Sequence, residues 1–150
     1  MRAFPMIPVL TLTVLLIAMP TAYAQGQNAL DGAWELVEAT NADGNAVEST
    51  GMLIFSVGHY SWIRIFDSGR PSYSSQDEAT DAQKVAAFNS FGSNAGSYTV
   101  SGSTLTRDPA AAKNPYVYAP DNRIVSTYAI DGRTLTLTNM NGVEMYTRLD

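Results

Sequence analysis

The chain has no cysteine and only one histidine, His59. Without cysteine there can be neither disulfides nor thiolate metal sites, so the fold must be held by its own core. A transition-metal centre gathers several His, Cys or carboxylate ligands, and one imidazole is too few, so no metal or cofactor is expected. Basic residues are also scarce, with 9 Lys and Arg against 14 Asp and Glu. They form no cluster, which argues against nucleic acid as a partner and against attachment to an anionic membrane surface. Gly-rich phosphate loops, internal repeats, low-complexity tracts and a nucleophile elbow around serine are all missing.

Long apolar runs are missing as well, with one partial exception. Residues 6–19 (MIPVLTLTVLLIAM) are uncharged and apolar, but a bilayer span needs about 20 such residues. Arg2 stands before this run, Pro20 after it, and Ala22-Tyr23-Ala24 supplies a small-residue cleavage pattern. This is the layout of a secretory leader. Residues 1–24 are therefore expected to be removed, leaving residues 25–150 as one periplasmic or secreted domain with no stable membrane insertion. No cysteine stands at the cleavage site, which excludes a bacterial lipoprotein. Loss of Arg2 takes the 9 basic residues to eight against 14 acids, a net charge of −6.

What the mature chain has in quantity is turn signals between β-rich runs. Asp-Gly and Asn-Gly tolerate the positive φ of two-residue hairpin loops. Ser101-Gly102, Asp131-Gly132 and Asn141-Gly142 each separate such runs, as does Val57-Gly58, which has the least turn character. The pattern predicts about eight strands joined mainly as a meander. Centring each turn on its dipeptide puts Tyr98 opposite Leu105, Tyr128 opposite Leu135, Ser126 opposite Leu137, and Tyr146 opposite Leu137. Arg148 then falls on the same face, opposite Leu135, while threonines share the other face. The sheet is thus antiparallel with one wet side.

Residues 75–91 (SQDEATDAQKVAAFNSF) break the alternation. Ser75 and Glu78 have capping-box spacing, and Asp77, Glu78 and Asp81 suit a helix N-terminus. Ala82, Val85, Ala86 and Asn89 form a stripe with Phe88 beside it. One short helix is expected here, as a plug closing the barrel or a lid over a cavity.

The first strand reads Gly32-Ala33-Trp34 and the last ends Tyr146-Thr147-Arg148. A Gly-x-Trp on the first strand and an arginine on the last resembles the lipocalins and related calycin barrels. That resemblance implies an arginine packed over the tryptophan at the closed end. Together with GMLIFSVGHYSWIRIF, FGSNAGSYTVSGSTLT, AAAKNPYVYAP and YAIDGRTLTLT, the mature chain resembles the bacterial lipocalin-like domain family. The resemblance implies an all-β, antiparallel up-and-down barrel of about eight strands with one short helix. It implies no catalytic residues.

The segment His59–Phe66 (HYSWIRIF) is the most unusual. A turn at Val57-Gly58 sets Phe55 opposite Tyr60 and Leu53 opposite Trp62, on one aromatic face with Arg64 and Phe66. An inward-facing Arg64 is either an anion anchor within aromatic walls or the partner of an acid such as Glu38. His59 falls on the other face, at the turn. Among the acids, only Glu38 is placed on an inner face, with Glu35 and Glu144 outside, so no facing carboxylates for hydrolysis are expected. Lys113, in the proline-bearing loop 110–120, is a further candidate contact. The expected function is binding or carrying a small hydrophobic or amphipathic molecule. Phe55, Tyr60, Trp62, Arg64, Tyr98, Tyr128 and Tyr146 would form its site, and Trp34 with Arg148 the structural closure. A small isomerase, cyclase or hydrolase using the same pocket, or a filled structural domain, is the alternative.

Overall fold

Alternating apolar and polar residues form eight strands in the computed structural model, which describes residues 28–66, 70–119 and 121–149. The leader read over residues 1–24 lies outside these. The strands are β1 (Gly32–Ala39), β2 (Ser49–Ser56), β3 (His59–Phe66), β4 (Phe91–Ser101), β5 (Thr104–Ala112), β6 (Ile124–Asp131), β7 (Thr134–Asn139) and β8 (Gly142–Arg148). Each pairs antiparallel with the next, and β8 returns to β1, so the sheet closes on itself without a free edge. This is the all-β, up-and-down architecture expected from the turns. Inward positions such as Leu53, Phe55, Leu105, Leu135 and Leu137 are buried, while Met52 and Ile54 on the opposite face of β2 are exposed.

Apart from Glu38 and Glu144, the faces agree with the sequence reading, but the pairing differs in three hairpins. The pairs next to the turns are Ser101↔Thr104, Asp131↔Thr134 and Asn139↔Gly142. Tyr98 therefore opposes Arg107, Tyr128 opposes Leu137, Ser126 opposes Leu105 and Tyr146 opposes Leu135. Arg148 pairs with Trp34 of β1. In the first two hairpins glycine takes the first turn position, at φ 57° for Gly102 and 56° for Gly132, which is where a type II′ loop requires it. In the third, Met140 and Asn141 make the turn. Each difference is two residues in register, so every side chain keeps its face. The Val57-Gly58 hairpin pairs as expected, Phe55 with Tyr60 and Leu53 with Trp62.

The helix is shorter than the sequence suggested. α1 spans Asp81–Asn89, with Thr80 as N-cap and a capping box formed with Gln83. The Ser75 hydroxyl instead accepts from the Glu78 backbone in the preceding turn. Val85 and Phe88 of the expected apolar stripe are exposed, and Ala87 is the buried residue. The helix is tethered by its C-terminal carbonyls: Arg70 Nη1 donates to Ala87 O at 3.2 Å, and Lys113 Nζ donates to Phe88 O. Cations suit that end of a helix.

One end of the barrel is sealed. The segment before β1 tucks Leu30 under the strands, fully buried. Trp34 Nε1 donates to Leu30 O at 2.8 Å, and the Tyr98 hydroxyl donates to Asp31 Oδ1 at 3.0 Å. The two-residue turns after β2, β4 and β6 all lie at this end. The longer connections, α1 included, lie at the other.

Candidate functional site

The interior is filled near Trp34 and open at the opposite end. A cavity of about 520 Å³ lies there, lined from β3, β4, β5 and β8 and from the connections at the mouth. Alternation along β3 sends Tyr60, Trp62, Arg64 and Phe66 inward, in that order toward the mouth. Their neighbours are small: Gly51 and Gly92 flank Arg64, and Gly96 stands beside Tyr60. Gly92 has a specific reason. A Cβ there would lie 2.9 Å from the Trp62 ring and 2.8 Å from that of Phe66, so the missing side chain lets both rings lie against the wall.

Of the side chains expected to bind a ligand, Trp62 and Arg64 line the cavity. Phe55, Tyr60, Tyr98 and Tyr146 are buried in the core beneath it, and Tyr128 packs against that core. Phe55 and Tyr98 meet edge-on, with ring centroids 4.9 Å apart. Trp34 and Arg148 are together at the sealed end, the guanidinium over the indole.

The acid that meets Arg64 is Glu144, not Glu38. Arg64 Nη1 lies 2.6 Å from Glu144 Oε1, with the two side chains only 9% and 13% exposed. Glu144 Oε2 accepts from the Tyr146 hydroxyl at 2.7 Å, and the Tyr146 hydroxyl oxygen in turn accepts from Trp62 Nε1 at 3.3 Å. This chain of contacts crosses the barrel from β3 to β8. Two sequence placements are corrected here. Glu38 is exposed because the β1–β8 register shifts between Leu36 and Glu38, a bulge that turns Glu38 outward and Ala39 inward. Glu144 points inward, as period-two alternation from Tyr146 already requires.

Burial and the adjacent carboxylate push the Tyr146 phenol upward from its ordinary value of 10.0. Tyr60 is raised to about 12, chiefly by burial and against the pull of Arg107. Both hydroxyls are protonated at neutral pH; that of Tyr146 donates to Glu144, while that of Tyr60 is buried without a hydrogen-bond partner.

The sequence reading missed Arg107 and Asn94. Both are buried and both line the cavity. The Arg107 guanidinium carbon lies 5.5 Å from the Tyr60 ring centroid. The signal was available: Leu105 was placed inside, and a strand returns to the same face two residues later. Lys113 reaches the rim, but its ammonium donates to Phe88 O and, at 2.7 Å, to Phe91 O. His59 is exposed beside its turn.

Among the described residues, no group of three or more His, Asp or Glu could hold a metal ion. Among the described residues, Glu144 is the carboxylate in the lining, and both of its oxygens are occupied. The arrangement can enclose an apolar body, present cations to it and exclude much of the surrounding water.

No family model, curated protein or solved structure matches the chain. Its closed, eight-stranded antiparallel barrel is compatible with a lipocalin-like fold on geometry alone.

Proposed function

We propose that this protein is an exported binding module that holds or carries one small hydrophobic or amphipathic molecule at the open end of its barrel. The carrying observation is the cavity of about 520 Å³, within the size range of small-molecule sites. Trp62, Phe66, Phe91 and Val117 give it apolar walls, while Arg64 and Asn94 add polar points. The deeper aromatic side chains named from the sequence support its floor. Export to the periplasm or exterior rests on the layout of residues 1–24.

Titration with N-phenyl-1-naphthylamine, a neutral apolar fluorophore, tests the reading. Saturable enhancement at one site per chain, with quenching of Trp62 emission that Trp62→Phe removes, is the expected result. No saturable enhancement, together with no small molecule retained in native mass spectra of protein from its own source, would sink it.

A small enzyme is the second reading, favoured by the Arg64–Glu144 pair lining the cavity. Buried ionisable pairs in clefts are a mark of catalysis as well as of structure. Here Glu144 is held by Arg64 and Tyr146 together, which fits a fixed counter-ion better than a free general base.

A further inference from the structure

Resting on the carrier reading, we infer that the ligand is a monocarboxylate on an apolar body and that Arg107, rather than Arg64, receives its head group. Arg107 is 3% exposed and lines the cavity. Neither of the two ion pairs between described side chains includes it, its Nε has no hydrogen-bond partner, and its guanidinium carbon lies 5.5 Å from the Tyr60 ring centroid. A guanidinium withdrawn from water without a counter-ion is costly, and an anion that supplies one turns that cost into affinity. Arg64 does not offer the same opportunity, because Glu144 already neutralises it.

Charge fixes the class of head group. Among the described residues, Arg64 and Glu144 cancel, which leaves the buried Arg107 as the unpaired charge on the inner wall. One carboxylate matches that charge and the planar fork of the guanidinium. Asn94 lies on the same cavity wall with its Oδ1 buried and unpartnered. Its amide, rotated by half a turn, presents two donors to the same head. The field at the mouth has the same sign. Among the described lining residues, Lys113 joins Arg64 and Arg107 against Glu144, while Arg123 is paired with Asp108 at 3.6 Å, in a chain whose net charge is −5. Such a concentration of cations in a cleft draws anions toward it. The aromatic walls then take the apolar body.

Displacement of N-phenyl-1-naphthylamine by dodecanoate and by dodecanol tests the inference, since the two differ in head group alone. The expected result is displacement by the acid at concentrations at least about tenfold lower, the effect of one charge-assisted contact. Arg107→Met should abolish that ratio. The double variant Arg64→Met/Glu144→Gln removes a cancelling pair and should keep the ratio, whatever it does to overall affinity. Equal displacement by acid and alcohol in the unmodified protein overturns the inference and leaves the carrier reading standing. A ratio that survives Arg107→Met, or is lost in the double variant alone, also overturns it. Failure of the probe to bind, together with no small molecule retained in native mass spectra, removes the carrier reading and this inference together. Circular dichroism checks that each variant folds, and the unmodified protein's acid-to-alcohol ratio decides the ligand class without any variant.

Discussion

Arg148 lies across Trp34, its guanidinium carbon 4.1 Å from the ring centroid. Its Nη1 donates to Asp31 O at 2.7 Å and its Nη2 to Ala29 O at 2.5 Å. One side chain thus covers the indole and ties the segment before β1 to the last strand. Arg148→Ala should cost about 2 kcal/mol, from a cation–π contact and charge-assisted hydrogen bonds. Chemical denaturation measures it. Loss of less than about 0.5 kcal/mol, the range of an ordinary surface substitution, would show that the seal does not depend on this residue.

Arg64 and Glu144 should behave as a unit. Removing one partner leaves the other charge buried, so Arg64→Met or Glu144→Gln alone should destabilise by about 3 kcal/mol. The double variant should recover most of that loss. A double-mutant cycle reads the coupling directly, and additive losses would contradict the pairing.

Alkaline pH should weaken the fold through its buried tyrosines. Burial, aided by the hydrogen bond to Asp31, raises Tyr98 to about 12, and burial raises Tyr60 to about 12. Tyr146 is displaced in the same direction. In the unfolded chain these phenols lose their protons near 10, while in the folded protein they keep them. Their contribution is complete below pH 10 and is lost as the pH climbs from 10 toward 12. Thermal midpoints should fall across that window. Tyrosinate absorbance of the native protein should lag behind that of the unfolded chain, and coincident titrations would refute the prediction.

Val57 has room for improvement. It is β-branched, yet it sits at φ 45° in its hairpin turn, with Gly58 at φ 78° after it. Left-handed backbone costs such a residue about 1–2 kcal/mol, and its side chain is 70% exposed. Val57→Asn gives the Asn-Gly pair that a type I′ turn favours. Stability should rise by about 1 kcal/mol, seen as a higher denaturation midpoint with unchanged slope. A fall would show that Val57 contributes packing not evident from its exposure.

The contrast between Val57 and the glycine turns explains what was legible in the sequence. Alternation assigned Leu135, Leu137 and Tyr146 to the inner face, because a face depends only on odd or even position. Pairing depends on which turn residue glycine occupies, and Asp131-Gly132 reads equally well as the centre or the leading half of a loop. The least turn-like dipeptide, Val57-Gly58, gave the correct register because both of its residues adopt positive φ. The bulge after Leu36 carries no mark in the sequence. It alone moves Glu38 outside, whereas Glu144, the true partner of Arg64, was legible from its spacing of two from Tyr146. Arg107 was legible in principle, two positions beyond Leu105, but only packing reveals that it lacks a counter-ion.

The division of the connections between the two ends has a consequence for how this barrel can diversify. The two-residue turns after β2, β4 and β6 sit at the sealed end, where changing their length would disturb strand pairing. The described connecting residues 40–48, 70–90, 113–119 and 121–123 converge on the mouth, with the short turn at Met140 and Asn141, and carry part of its lining. Insertions or deletions in the longer connections leave the strand ladder intact. The rim of the cavity can thus be revised without altering the strand ladder, while its inner wall, with Trp62, Arg64, Asn94 and Arg107, is inherited with the strands.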